Sequence, residues 1–139
     1  MQRRIEGALR PLPLLGAILL LLTLAEGAEP GDASRGERAF QRRYACHSVD
    51  PHEAAHLQGP SLYRVVGRPA AAIAGFEYSD AMRQKGADGL VWDSATLERY
   101  LADPEAIVPG TNMSTPPLRD EAERADLLAY LARSGAYRP

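Results

Sequence analysis

Apolar residues fall along the chain in one continuous block and then in short groups at helical spacing. The block is LLGAILLLLTLA, from Leu14 to Ala25. Past it, Asp32 caps a helix reaching about Arg43, in which Gly36, Phe40 and Arg43 recur near the helical period. Pro51, Gly59, Pro60, Gly67, Pro69 and Gly75 punctuate 44–78, which reads as loops with at most one short turn. Ser79 caps a brief helix over 80–85 that Gly86 ends, and Asp93 caps 94–102. That third helix stops before Pro104, since a proline disfavours helical geometry in the residue ahead of it. Asp120 and Glu123 form a capping-box-like start for 121–134, which ends at Gly135. In this last helix Leu127, Leu128 and Leu131 share one side, with Tyr130 beside them and charges opposite. Very little of the chain alternates as a strand would. The pattern predicts a small all-α domain of three to four helices joined by long structured loops. Loops of that length in a compact domain usually have a task, and wrapping a large flat cofactor is one.

The leading block is too short to span a membrane as a helix, which takes roughly 20 apolar residues. Arg3, Arg4 and Arg10 precede it, and Ala25 and Gly27 supply small residues at −3 and −1 of a cut after Gly27. Residues 1–27 therefore read as a signal peptide of an exported, bacterial, periplasmic protein, the alternative being a retained N-terminal anchor. Residues 28–139 form one domain. From 16 basic and 18 acidic residues, the leader removes three Arg and two Glu, leaving 13 and 16 and a net charge near −3. Only Lys85 among the cations is a lysine. No clustered basic surface points to nucleic acid.

An exported domain of this size commonly carries disulfides in even numbers, yet Cys46 is the only cysteine. It lies in RYACHSVDPHEAAHLQGP (43–60), which also holds all three histidines. Two metal chemistries compete there. His52-Glu53-Ala54-Ala55-His56 matches H-E-x-x-H, in which a helix presents two imidazoles and a general base to zinc. Pro51 and Gly59-Pro60 leave that helix under two turns, no histidine follows to serve as third ligand, and Glu77 is the one acidic substitute to be imagined. The ordinary reading of His52, Glu53 and His56 is a solvated loop. Ala45-Cys46-His47 is the second half of the C-x-x-C-H haem-attachment pattern, with Arg43 in the place of the first Cys. A thiol beside an imidazole lets one short turn both bond a haem vinyl group and ligate its iron. Met113, in a Pro/Gly/Thr loop ill suited to a gap-filling hydrophobe, is the candidate for the opposite ligand. Met82, among Asp80, Arg83 and Lys85, is passed over.

GDASRGERAFQRRYACHSV, GPSLYRVVGR, AGFEYSDA, LVWDSATLERYLADP, VPGTNM and RADLLAYLARSG stand in that order from Gly31 to Gly135. In this the chain resembles class I cytochromes c of the bacterial c2 type. The resemblance implies a domain in which helices and loops enclose one haem c, attached at Cys46 by a single thioether and ligated by His47 and Met113. It implies that the Pro60 carbonyl braces His47, that Arg68, Tyr78 and Trp92 serve the haem propionates, and that Tyr100 and Thr111 lie near the methionine. Gly36 and Phe40 would pack the first helix on the last. Arg43 departs from the family pattern, in which Cys makes a second thioether. Single-thioether members with another residue there are known.

The reading is a monomeric electron carrier rather than an enzyme. Its partners would be a bc1-type complex, a terminal oxidase or a photosynthetic reaction centre, with Arg42, Arg43, Arg83 and Lys85 as candidates for steering them. Two alternatives stay open: a haem protein whose Met113 dissociates to admit a gas ligand or peroxide, and a small zinc hydrolase at 52–56.

Overall fold

The structure is a computed structural model that describes residues 30–43, 45–51 and 57–138. The proposed leader and the 52–56 motif lie outside the described residues. Five helices are present among them: α1 (Ala33–Phe40), α2 (Asp80–Ala87), α3 (Ser94–Ala102), α4 (Pro104–Ile107) and α5 (Glu121–Ala132). Among the described residues no strand forms beyond one antiparallel bridge between Pro69 and Val91. The all-α expectation is met, with more helices than the three to four foreseen.

Each helix starts where a short oxygen-bearing side chain can satisfy an orphan backbone N–H. Asp32 accepts from Arg35 N at 2.8 Å, Ser79 from Met82 N at 3.2 Å, and Asp93 from Thr96 N at 2.7 Å. Asp120 accepts from Glu123 N at 2.9 Å. The unforeseen helix α4 uses the same device, for Asp103 accepts from Ala106 N and Pro104 takes the first helical position. A proline there loses no intrahelical bond, so the residue that stops α3 also starts α4. Two ends also differ from the sequence reading. α2 runs through Gly86 to Ala87, because a glycine there lets the helix lie on the Ala70 carbonyl, 2.5 Å from where a Cβ would stand. α1 ends at Phe40 rather than Arg43, since Arg43 N–H donates to the Phe40 carbonyl at 2.7 Å and the chain tightens into a turn.

α1 packs across α5 at very short range. A Cβ on Gly36 would stand 1.9 Å from the Asp126 carbonyl oxygen, and one on Gly31 would stand 2.0 Å from that of Ala125. The Phe40 and Tyr130 rings meet beside this crossing at 5.4 Å. Buried Asp126 closes it, accepting from Asp32 N–H at 2.6 Å and from Arg35 Nε and Nη2 at 2.7 and 2.9 Å. α3 contacts α5 on the other side, and Leu97, Leu101, Leu127 and Leu131 join one core. The described parts of the loops over 41–51 and 57–79, with the 108–118 loop, then close around a cavity.

Candidate functional site

The turn after α1 forms the first wall of the cavity. Cys46 and His47 N–H both donate to the Arg43 carbonyl at 3.0 Å, which carries the thiol and the imidazole to the lining together. The segment after residue 57 is tied back to this turn, with Gly59 N–H donating to the Cys46 carbonyl and Leu62 N–H to that of Ser48, each at 2.7 Å. Gly59 lies flat against the imidazole; a Cβ there would be 2.2 Å from His47 Cε1. His47 Nδ1 is 2.8 Å from the Pro60 carbonyl oxygen. An acceptor at that position holds the proton on Nδ1 and leaves the Nε2 lone pair for a metal. Burial pushes the His47 pKa below its ordinary 6.5. The Pro60 bond opposes this, while the Arg43 and Arg68 charges add to it, so the ring is neutral at pH 7.

A second wall comes from α3 and the loop after α4. Fully buried Val108 anchors that loop, and Gly110 turns it at φ +81°, a backbone region that suits glycine. Thr111 Oγ1 lies 2.8 Å from the Tyr100 hydroxyl and accepts from Met113 N–H at 3.2 Å. Met113 is thereby held half-buried against the core and on the cavity. Burial raises the Tyr100 pKa above its ordinary 10.0, partly offset by the Thr111 hydrogen bond.

The third wall is polar. Arg68 is buried, donating to the Tyr63 and Ser61 carbonyls at 3.1 and 2.8 Å. The Tyr78 hydroxyl accepts from Ile73 N–H at 3.3 Å, and burial raises its pKa so that it keeps its proton. The Trp92 ring packs 4.9 Å from that of Tyr100. Charged and phenolic groups placed in an otherwise apolar cavity are costly unless an anion or acceptor joins them.

All nine residues singled out in the sequence line this one cavity: Cys46, His47, Pro60, Arg68, Tyr78, Trp92, Tyr100, Thr111 and Met113. The donor set fits a haem, with a thiol for a vinyl group, an imidazole and a thioether for iron, and Arg68, Tyr78 and Trp92 for propionates.

The comparisons agree with that fit. The chain is 42% identical over 119 residues to cytochrome c2 of Rhodomicrobium vannielii, covering 86% of this chain and 90% of the relative. It is 39% identical over 110 residues to cytochrome c of Nigella damascena, covering 78% and 96%. The chain belongs to the class I cytochrome c family. Cytochrome cH from Methylobacterium extorquens has a similar fold, with a TM-score of 0.66 at 40% identity over 74% of this chain and 99% of that one. Cytochrome c2 from Rhodospirillum centenum gives 0.68 at 35% identity over 74% and 98%. No family model matches the chain. Members of this cytochrome family carry covalently bound haem c and transfer electrons through it.

Two further residues line the cytochrome's cavity that the sequence does not assign to it. Met82, passed over for its charged neighbours, lines the cavity and packs on the core, because α2 turns it inward three residues after the Ser79 cap. Arg43, grouped with the steering cations, is 6% exposed and lines the cavity beside Cys46. Of the other three steering candidates, Arg42 pairs with Glu123 and Arg83 with Asp80, while Lys85 makes no ion pair among the described residues. Glu77, imagined as a zinc ligand, lines this same cavity, and no group of three metal-ligating side chains occurs among the described residues.

Proposed function

We propose that this cytochrome is an exported single-haem electron carrier, with haem bonded through one thioether to Cys46 and its iron ligated by His47 and Met113. The observation that carries the reading is the shared cavity: Cys46 and His47 on one turn, the His47 Nδ1–H committed to the Pro60 carbonyl, and Met113 tethered through Thr111. Haem supplies a one-electron ferric–ferrous couple. The chain does the rest. Pro60 and Gly59 fix the imidazole plane, Thr111 and Tyr100 hold the methionine loop, and the apolar walls limit solvent. Arg68, Tyr78 and Trp92 are the groups suited to propionate. With His47 and Met113 both holding the iron, oxygen or substrate would have little access to it, which would suit transfer without bond making.

Residues 1–27 fit a cleaved leader to the periplasm, followed by one domain over 28–139 that acts as a monomer. Among the described residues no helix is long and apolar enough to cross a membrane. Partners in keeping with the c2-type relatives are a bc1-type complex, a terminal oxidase or a photosynthetic reaction centre.

An absorption spectrum of the mature protein tests the reading, with a pyridine haemochrome taken after acid-acetone extraction. Haem that resists extraction, with an α-band between b-type and c-type positions, is the expected result for one thioether. Extractable haem rejects the bond to Cys46, and a colourless protein made alongside haem-maturation machinery rejects the carrier itself.

A further inference from the structure

Arg43 occupies the position from which the family's second thioether would come, three residues ahead of Cys46. Its backbone is fully engaged there, the N–H on Phe40 O and the carbonyl on the Cys46 and His47 N–H groups. The side chain turns inward: it is 6% exposed, lines the cavity, and its Nε is buried with no hydrogen-bond partner. Among the described residues no ion pair serves it, although neighbouring Arg42 and Arg35 have Glu123 and Asp126. A guanidinium keeps its proton under all ordinary conditions, so this is a fixed buried cation with no carboxylate partner among the described residues.

Such a group is costly to the fold, and a buried charge acts strongly on any other charge in the same low-dielectric space. We propose that Arg43 sets the reduction potential of the cytochrome, its buried cation disfavouring the ferric state in the cavity it shares with Cys46 and His47. The inference rests on haem occupying this cavity as proposed above. Reduction adds one electron, drawn from the partner protein or from an electrode, to the iron. It lowers the positive charge facing Arg43 by one, with no bond made or broken and no proton taken up by the arginine. Repulsion is therefore greater in the oxidised form, and the potential is raised. Because the group is buried, added salt screens it far less than it would a surface charge.

The test compares midpoint potentials of the haem-loaded wild type with Arg43→Met and Arg43→Lys. Methionine is long, unbranched and neutral, and replacing an unpaired buried charge by an apolar side chain is commonly neutral or stabilising, so this variant should fold and hold haem. Its reduction equilibrium is expected to shift about tenfold toward the ferric form, a fall of about 59 mV for one electron, at both low and high salt. Its thermal midpoint should equal or exceed that of the wild type, and its α-band should stay in place, since the thioether count is unchanged. Arg43→Lys, which keeps the cation, should retain most of the wild-type potential. Arg43→Gln repeats the neutralisation with a polar side chain. A reduction equilibrium within twofold of wild type in either neutral variant overturns the proposal while leaving the haem carrier intact, as does a shift that high salt abolishes. A colourless wild type overturns the carrier and the proposal together.

Discussion

His47 is held on two sides by backbone rather than by side chains. The Pro60 carbonyl takes its Nδ1 proton at 2.8 Å, and the bare α-carbon of Gly59 leaves the ring its room. A methyl group at 59 would meet Cε1 at 2.2 Å, so Gly59→Ala must displace either the ring or the 57–62 segment. Overpacking of this kind costs about 1–3 kcal/mol. The expected result is a lower denaturation midpoint together with a mixed-spin ferric spectrum, read by denaturant titration and absorption. Met113→Ala tests the other axial position. Its ferrous form should bind CO at neutral pH while the wild type does not. An unaltered spectrum in that variant would remove Met113 from the ligand set.

At this scale the sequence was informative where chemistry is rare. A lone Cys-His pair and a methionine in a proline-glycine loop have few uses, and the resemblance extended them to the remaining wall residues. Arg43 and Met82 were misjudged for one reason: composition around a residue gives no sign of the direction in which its side chain points. Tight i→i−3 turning after Phe40 rotates Arg43 inward, and a register set by the Ser79 cap does the same for Met82.

Among the elements, the α1–α5 crossing depends most on one residue type. Helices approach this closely only where no Cβ intervenes, and at Gly36 the opposing atoms are backbone, which cannot rotate away. Gly36→Ala gains intrinsic helix propensity, worth about 1 kcal/mol, yet forces α1 off α5. The loss should exceed that gain, giving a net destabilisation of about 2 kcal/mol or more, readable by chemical denaturation. An Ala122→Gly change at an exposed position of α5 should instead cost at most the propensity term of about 1 kcal/mol. Cap residues made four helices legible, since an N-cap hydrogen bond is local and leaves a local signature. α4 escaped because Asp103-Pro104 was read only as a stop. The same dipeptide ends one helix and begins another, and which it does depends on where the next turn can pack. Gly86 was likewise read as an end, although its purpose is contact with the Ala70 carbonyl.

For the molecule as a whole, the α1–α5 clasp ties stability to pH through Asp126. The carboxylate accepts hydrogen bonds from Arg35 and from the Asp32 N–H, and these hold its pKa below the ordinary 3.8. Asp32 and Asp93, which cap α1 and α3, are lowered as well by the N–H groups they accept from. A carboxylate lowered in the folded state binds its proton more readily once the chain unfolds. Its contribution is thus complete above the unfolded value and is lost as pH falls through the folded one. Stability should accordingly fall in two stages: first below about 6.5, where unfolded chains protonate a His47 that the fold keeps neutral, and again below 3.8, where they protonate the three carboxylates. Asp126 joins the first helix to the last, so its protonation should loosen the whole domain rather than fray one end. Asp126→Asn keeps the shape but cannot be ionised. It should be less stable than the wild type at pH 7 and should show a shallower decline in acid, with the two curves converging as the pH falls. Parallel curves across that range, by thermal melts followed in the far ultraviolet, would show that the acid sensitivity arises elsewhere.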